Sequence, residues 1–403
     1  MSVLYVSHGH PVFAKGGGEL AAWRLFEAFR KMPEFDKCGF LAAAPLAEVF
    51  SPGCELVGLS ADQWLIKKSP NAFFHDTAIS LADGGQLHQA IADKNFCLIH
   101  LHHYLHVGID LVLALKRWFP QAKLMLTLHD YWGPCVYEGR LLRASGELCE
   151  GGDPASCDAC VGGDRRGELA IRALRLQRMF SVIDHLICPS YFLKRQYLHW
   201  GVDKHLISVI ENLPDQKADT SNPESVSGLR PGTPLVVGYF GQVNPWKGLD
   251  LIIKSLAIAR SNGADVRLQV HGPSEDLSKS PEGVTVAGAY SPEQLGERMA
   301  GVDLLVMGSI WYENSPMVIQ EAYRYGRAVL LPNLGGMAEK VKEGCTGLLF
   351  DAGDSDSLAK CLVELYSNRE LLTQLTKGVQ EMMSKRADAL RGHQQLYARL
   401  IKA

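Results

Sequence analysis

Two glutamates with seven residues between them, Glu313 and Glu321, stand in the stretch ENSPMVIQE. Glu313 precedes a segment of helical periodicity and Glu321 lies inside it. Pro316 suits a first helical turn, where a missing N–H leaves nothing unpaired. The backbone N–H groups over residues 315–318 would then face the end of the preceding strand, an anion site suited to a diphosphate. Asn314, Ser315, Pro316, Met317 and Val318 are the residues of that turn. Eight residues on, a little over two helical turns, Glu321 can turn to the same side and accept hydrogen bonds from a ribose diol, while Glu313 meets sugar hydroxyls.

Three other places carry chemistry. In GYFGQVNPWKG a strand and a glycine turn lead to Lys247 just before a helix, a good position for a phosphate-binding cation. In AKGGGEL the run Gly16, Gly17, Gly18 lets backbone approach a ligand closely between a strand and a helix. In TLHDYW, His129 ends a strand, with Asp130 beside it as a group able to contact an acceptor hydroxyl. Taken singly, each has a plain structural reading: solvated carboxylates, an exposed lysine, a simple turn, a hydrogen-bonding histidine. His100, His102 and His103 alternate along a strand end in IHLHHYL, and nothing there requires a metal.

Cys135, Cys149, Cys157 and Cys160 form a C-x13-C-x7-C-x2-C pattern in a glycine-rich insertion directly after His129. Four thiolates suit a tetrahedral structural zinc, and a loop with few large apolar residues needs such a staple. Four free cysteines, a redox-labile pair and an iron–sulfur centre are the alternatives. The other six cysteines, Cys38, Cys54, Cys97, Cys188, Cys345 and Cys361, fall in or beside apolar segments and read as small buried hydrophobes.

The elements that must position these residues alternate along the chain. Short apolar strands at Val3–Val6, Phe40–Ala44, Leu98–Leu101, Leu124–Leu128, Leu186–Cys188 and Ile207–Ile210 are separated mostly by helical stretches, the first from Glu19 to Lys31. Such alternation predicts a parallel sheet covered on both faces. Residues 215–234, DQKADTSNPESVSGLRPGTP, have almost no large apolar side chain and read as an exposed linker. The alternation then restarts with PLVVGYFG, a helix from Leu249 to about Ser261, VRLQVHG, VTVAGA and LLVMGS, a strand expected to end at Ser309. A helix from Met317 to Tyr325, then AVLLPN and GLLF, precede helical sequence to the end. Two α/β domains with a cleft between them follow, with ligand sites at the carboxyl ends of the strands.

Residues 291–339 closely resemble the E-x7-E region of the retaining glycosyltransferases of family 4, including the following EA…G…V and GGMAE…G…GLLF. The segment with Lys247 is similar to that family's G-R-x5-K-G, with Gln242 where the family has Arg, and Gly16–Gly18 to its G-G-x-E loop. The resemblance spans nearly the whole chain and implies a GT-B architecture: two Rossmann-like domains facing across a cleft. The domains are residues 1–213 (with the cysteine insertion at about 133–163) and 235–385, joined by a linker at 214–234, with a last helix at 386–403 packing back on the first. It also implies the roles. Glu313 contacts the donor sugar, Glu321 the ribose, Lys247 and Gln242 the diphosphate, Gly16–Gly18 donor phosphates or acceptor, and His129 the reacting sugar. By that resemblance the chain is a retaining, hexosyltransferase-type enzyme in glycan or glycoconjugate synthesis, with a nucleotide sugar as donor and a carbohydrate or lipid-linked glycan as acceptor. No cofactor is required. A sugar-nucleotide 2-epimerase and a non-catalytic nucleotide-sugar-binding protein are the rival readings.

Composition sets the bounds. The chain has 403 residues, 47% apolar and 21% charged, as in an ordinary globular protein of two domains. Its formal net charge of -3 gives no pull toward nucleic acid. No apolar run is long enough to span a bilayer, and no basic region precedes the first apolar stretch, so a cytoplasmic protein is expected. Between Arg165 and Arg195 a basic helical stretch offers peripheral contact with anionic lipid, although its charges spread around the helix as on a solvated face.

Overall fold

In the computed structural model, the described residues are 1–14, 16–45, 49–152, 154–214, 232–273, 280–385 and 389–402. The chain divides into two compact units, Met1–Leu213 with Asp388–Ala403, and Pro214–Ala387. Most of the expected linker, residues 215–231, lies outside the described residues.

The first unit is built on an eight-stranded sheet. Its strands are β1 (Ser2–Ser7), β2 (Lys37–Ala44), β3 (Leu56–Ser60), β4 (Gln63–Lys67), β5 (Leu98–Leu101), β6 (Lys123–Thr127), β7 (His185–Cys188) and β8 (Ile207–Val209). The order is β3-β4-β2-β1-β5-β6-β7-β8. Val3 pairs with Cys38 on one side and Leu98 on the other, both in parallel register. The central strands are apolar on both faces because helices cover both, so β1 is buried from Leu4 to Val6 with Ser7.

The sheet departs from expectation at one edge. β3 runs antiparallel to β4, and the sequence alternation had placed neither strand. β3 is half exposed and polar-flanked, so it lacks the continuous apolar run that marks a central strand. The glycine run also differs: the first helix begins at Gly17 and not at Glu19, and ends at Phe29. Gly17 and Gly18 are therefore helical, and only Gly16 sits in extended backbone as the N-cap.

The C-terminal helix Ala389–Lys402 belongs to this unit. Its Tyr397 is fully buried, 4.8 Å from the Phe29 ring, and its hydroxyl lies 2.6 Å from Nδ1 of His100. The Thr127 hydroxyl meets the other nitrogen of that imidazole at 2.7 Å, so the buried ring is bonded on both sides.

The second unit has six strands, all parallel: β9 (Leu235–Phe240), β10 (Val266–His271), β11 (Val284–Gly288), β12 (Leu304–Val306), β13 (Ala328–Pro332) and β14 (Gly347–Phe350). Their order, β11-β10-β9-β12-β13-β14, reverses direction between β9 and β12. This is the doubly wound order of dinucleotide-binding sheets, and the loops after the two strands at the reversal flank a crevice. Helix Leu249–Ser261 follows the first of those loops and helix Met317–Arg324 the second. β12 stops at Val306, three residues short of the expected end at Ser309. Met307 still donates to Leu330 of β13 at 3.1 Å, and beyond it Gly308 lies against the Gly248 backbone.

Among the described residues no helix is long and apolar enough to cross a membrane.

Candidate functional site

The loops after β9 and β12 are held together by two glycines. Gly248 has φ 64°, and a Cβ built on it would lie 1.8 Å from the Gly308 carbonyl oxygen, so no other residue fits. A Cβ on Gly308 would in turn lie 2.4 Å from the Gly248 oxygen. Just ahead of Gly248, a 3-10 turn (Pro245–Lys247) is capped by Asn244, whose side chain accepts from the N–H groups of Trp246 and Lys247. The Ile310 N–H donates to the Trp246 carbonyl at 3.0 Å. These contacts bring Lys247 against the loop that carries Ser309 and Glu313.

The consequence is a bonded cluster. Lys247 Nζ donates to Glu313 Oε1 at 2.7 Å, and Ser309 Oγ donates to the same oxygen at 2.5 Å. Glu313 is buried while Lys247 reaches solvent. Behind Glu313, the Gly336 N–H donates to its carbonyl at 3.1 Å, and a Cβ on Gly336 would strike the Asn314 oxygen at 1.8 Å. The GGM segment thus fixes the Glu313–Asn314 backbone from below.

Helix Met317–Arg324 opens on Pro316 with no side-chain cap. Pro316 is the N-cap and not a first-turn residue as the sequence implied: its ψ of 121° is extended, and the helix begins one position later. Met317 and Val318 form the first turn, ahead of which Asn314 and Ser315 are half-buried. Glu321 is half-buried one turn along, and burial with the Glu321 charge pushes the Tyr290 phenol up to about 12. Burial and then the Glu313 charge likewise raise the Tyr239 phenol, whose hydroxyl donates to the Gln242 carbonyl at 2.7 Å. The Gln242 side chain is exposed.

The first unit has its own reversal, between β1 and β5. His129, just past β6, has Nε2 3.1 Å from Nδ1 of His102, and the two rings stack at 5.4 Å. A Cβ on Gly18 would lie 3.0 Å from His8 Cε1 and 3.4 Å from His129 Cγ, so the glycine admits both rings to the helix start. Gly16 is close to the Glu19 carboxylate, and His8 Nε2 lies 3.1 Å from Glu19 Oε1. Asp130 Oδ2 lies 2.7 Å from His103 Nε2.

Burial lowers the His129 imidazole to about 3, helped by the neighbouring His8 and His103. Burial likewise lowers His102. Both rings are neutral at neutral pH, so one must donate to the other across the 3.1 Å contact. Burial would raise the Glu19 carboxyl, but the bond from His8 and the His8 and His129 charges outweigh it and hold it at about 2. For Asp130 too, burial is outweighed by His103, and the carboxyl is lowered.

The structure therefore brings together Lys247 with Glu313 in one unit, and Gly18 with His129 in the other. His8, Glu19, His103, Ser309 and Tyr290 were not picked from the sequence as site residues. His8 and Ser309 both stand just beyond the end of a strand, the rule that selected His129. The four insertion cysteines line one small cavity. Among the described residues no three metal-capable side chains already form an ion-holding group.

Two family matches cover most of the chain. Residues 221–382 match Glycosyl transferases group 1 and residues 47–216 match Glycosyltransferase Family 4. A D-inositol 3-phosphate glycosyltransferase of Rhodococcus opacus is 28% identical over 302 residues, covering 69% of this chain and 61% of that protein. Its counterpart in Nocardia farcinica is 26% identical over 301 residues, covering 69% and 60%. This chain thus spans about three-fifths of the length of these curated relatives. Among solved structures, Anabaena HepE in complex with UDP has a TM-score of 0.67 at 19% identity, with 100% of both chains covered. A sucrose-phosphate synthase of Thermosynechococcus elongatus matches with a TM-score of 0.67 at 16% identity, again over 100% of both chains. The fold is that of GT-B glycosyltransferases, two α/β units built on largely parallel sheets.

Proposed function

We propose that this chain is a retaining glycosyltransferase that moves a sugar from a nucleotide-sugar donor to an acceptor hydroxyl without a catalytic metal. The observation that carries this reading is the Lys247–Glu313–Ser309 cluster beside the start of helix Met317–Arg324, at the sheet reversal. Its parts are those that diphosphate departure from a sugar requires: a fixed cation, oriented backbone N–H groups and a buried carboxylate. The family matches and the names of the relatives support transfer of a sugar, and the UDP held by HepE supports a uridine donor.

On binding, the diphosphate takes Lys247, Gln242 and the N–H groups of residues 315–318, and Gly16–Gly18 serve donor phosphates or acceptor. Lys247 then shifts its charge from Glu313 to the phosphates, and the freed Glu313 carboxylate accepts from hydroxyls of the donor sugar. Glu321 accepts from the ribose. His129, held neutral and oriented by His102, borders the reacting sugar, and Asp130 takes an acceptor hydroxyl. The leaving oxygen assists removal of the acceptor proton, so attack occurs on the face from which the diphosphate departs. The acceptor is a carbohydrate or lipid-linked glycan, and the chain works in the cytoplasm or at a membrane surface.

Thermal-shift measurement with UDP, GDP, ADP and dTDP sugars tests the donor site. One nucleotide class should stabilise the protein, and Glu321→Ala and Lys247→Ala should each remove the effect. Folded protein with no response to any of them would overturn the reading. NMR of the product's anomeric proton then checks that the donor configuration is kept.

A further inference from the structure

Outside the sugar site, the described part of residues 133–163 forms a loop soon after His129 that has few large apolar side chains. It is held by one short bridge, Leu142 with Leu148, and by the helix Pro154–Val161. Four cysteines from three separate parts of it, Cys135, Cys149, Cys157 and Cys160, line a single cavity of about 20 Å³ with Pro134, Tyr137 and Gly152 among its walls. A space of that size holds one small ion or one water.

Three details go beyond proximity. Cys135 is buried, and its thiol donates to the Tyr137 carbonyl at 3.6 Å in the wall of the cavity. Cys157 and Cys160 are three apart in one helix and share a face. Lastly, Arg172 is 3% exposed, yet no carboxylate among the described residues pairs with it. Its guanidinium bonds the Trp132 and Gly133 carbonyls and approaches His75, its Nε has no partner, and the acidic groups around it are Tyr104, Cys135, Tyr197 and Cys157. A buried cation without an anion is costly.

We propose that Cys135, Cys149, Cys157 and Cys160 bind one zinc ion as four thiolates, and that Arg172 is the buried counter-charge of this dianionic centre. Each thiol releases its proton on binding, so one Zn²⁺ displaces four protons and leaves a net charge of two minus, which Arg172 partly offsets. Closing the shell requires the sulfurs to turn into the cavity. Gly151, Gly162 and Gly163, with φ 108°, 88° and 69° and open space about each Cα, leave the flanking backbone free to follow. The ion then ties the segment behind His129 to the helix Arg166–Phe180 through Arg172, which gives the loop its fixed shape. This inference is independent of the sugar-transfer reading.

The full chain, purified without chelator, loaded with zinc sulfate and dialysed, should retain one zinc per chain by elemental analysis. Titration of its thiols with an organomercurial should release that zinc in step with four sulfurs. Cys157→Ser and Cys160→Ser should each lose it, while Cys54→Ser, outside the cluster, should keep it. Cobalt replacement in the unaltered chain should add an intense thiolate-to-metal absorption, a readout that does not depend on any variant folding. Retention of no zinc, recovery of iron with acid-labile sulfide, or disulfides joining these cysteines would each overturn the proposal.

Discussion

Nζ of Lys247 and Oε1 of Glu313, sixty-six residues apart in sequence, lie 2.7 Å from one another across the sheet reversal of the second unit. The carboxylate is buried and the ammonium half-exposed, so the pair is asymmetric. Removing the lysine strands a buried charge, whereas removing the carboxylate frees a cation that can still reach water. Lys247→Ala should therefore lower stability by about 1–3 kcal/mol and abolish nucleotide binding. Glu313→Gln keeps an acceptor for Ser309 and should leave nucleotide binding within about three-fold while cutting turnover by about 10²–10³-fold. Urea unfolding, nucleotide titration and initial rates measure the three effects.

Gly248→Ala tests the backbone crossing that makes this pair. Alanine at φ 64° costs about 1 kcal/mol, and its Cβ would overlap the Gly308 oxygen at 1.8 Å. A loss of about 2–4 kcal/mol in unfolding free energy is expected, together with loss of nucleotide binding. Gly263→Ala, also at positive φ (85°) but in open space, should cost only about 1 kcal/mol and leave binding intact.

Acid should weaken the first unit in two stages. His129 is lowered to about 3 in the folded chain, so below its ordinary value of 6.5 the unfolded chain takes up a proton that the native one refuses. Stability is fully present above pH 6.5 and declines as pH falls toward 3. Glu19, held at about 2 against 4.5, adds a further loss between those values. Unfolding free energy measured from pH 8 to pH 2 should fall throughout the acid limb below pH 6.5. Glu19→Gln should flatten only its lowest part, below about pH 4.5.

Tyr397 links the chain's last helix to the core of the first unit through His100. Tyr397→Phe leaves one nitrogen of a buried imidazole without a partner and should cost about 1–3 kcal/mol. Tyr397→Ala also opens a cavity against Phe29 and should cost about 3–5 kcal/mol. Chemical denaturation followed by intrinsic fluorescence distinguishes the two.

Much of this protein was legible from the residues alone. Strands buried on both faces leave uninterrupted apolar runs, so Leu98–Leu101 and the helix Leu249–Ser261 stand in the structure with the boundaries read from the sequence. Glycines that permit close approach are visible for the same reason, since no other residue tolerates the contact. The edge hairpin β3–β4 was not legible, because a half-exposed strand has no continuous apolar run, and neither was the helical state of Gly17 and Gly18, because glycine carries no propensity that marks it as helix. The sequence determined which residue types were available at the ends of the strands. Only the tertiary structure decided which of them meet. The order of strands brings the β9 and β12 loops side by side, and nothing local in the Lys247 or Glu313 segment encodes that adjacency. The same holds for His8 with Glu19 and for His102 with His129: pairings between distant segments depend on how sheets and helices pack, a global outcome that residue spacing cannot carry.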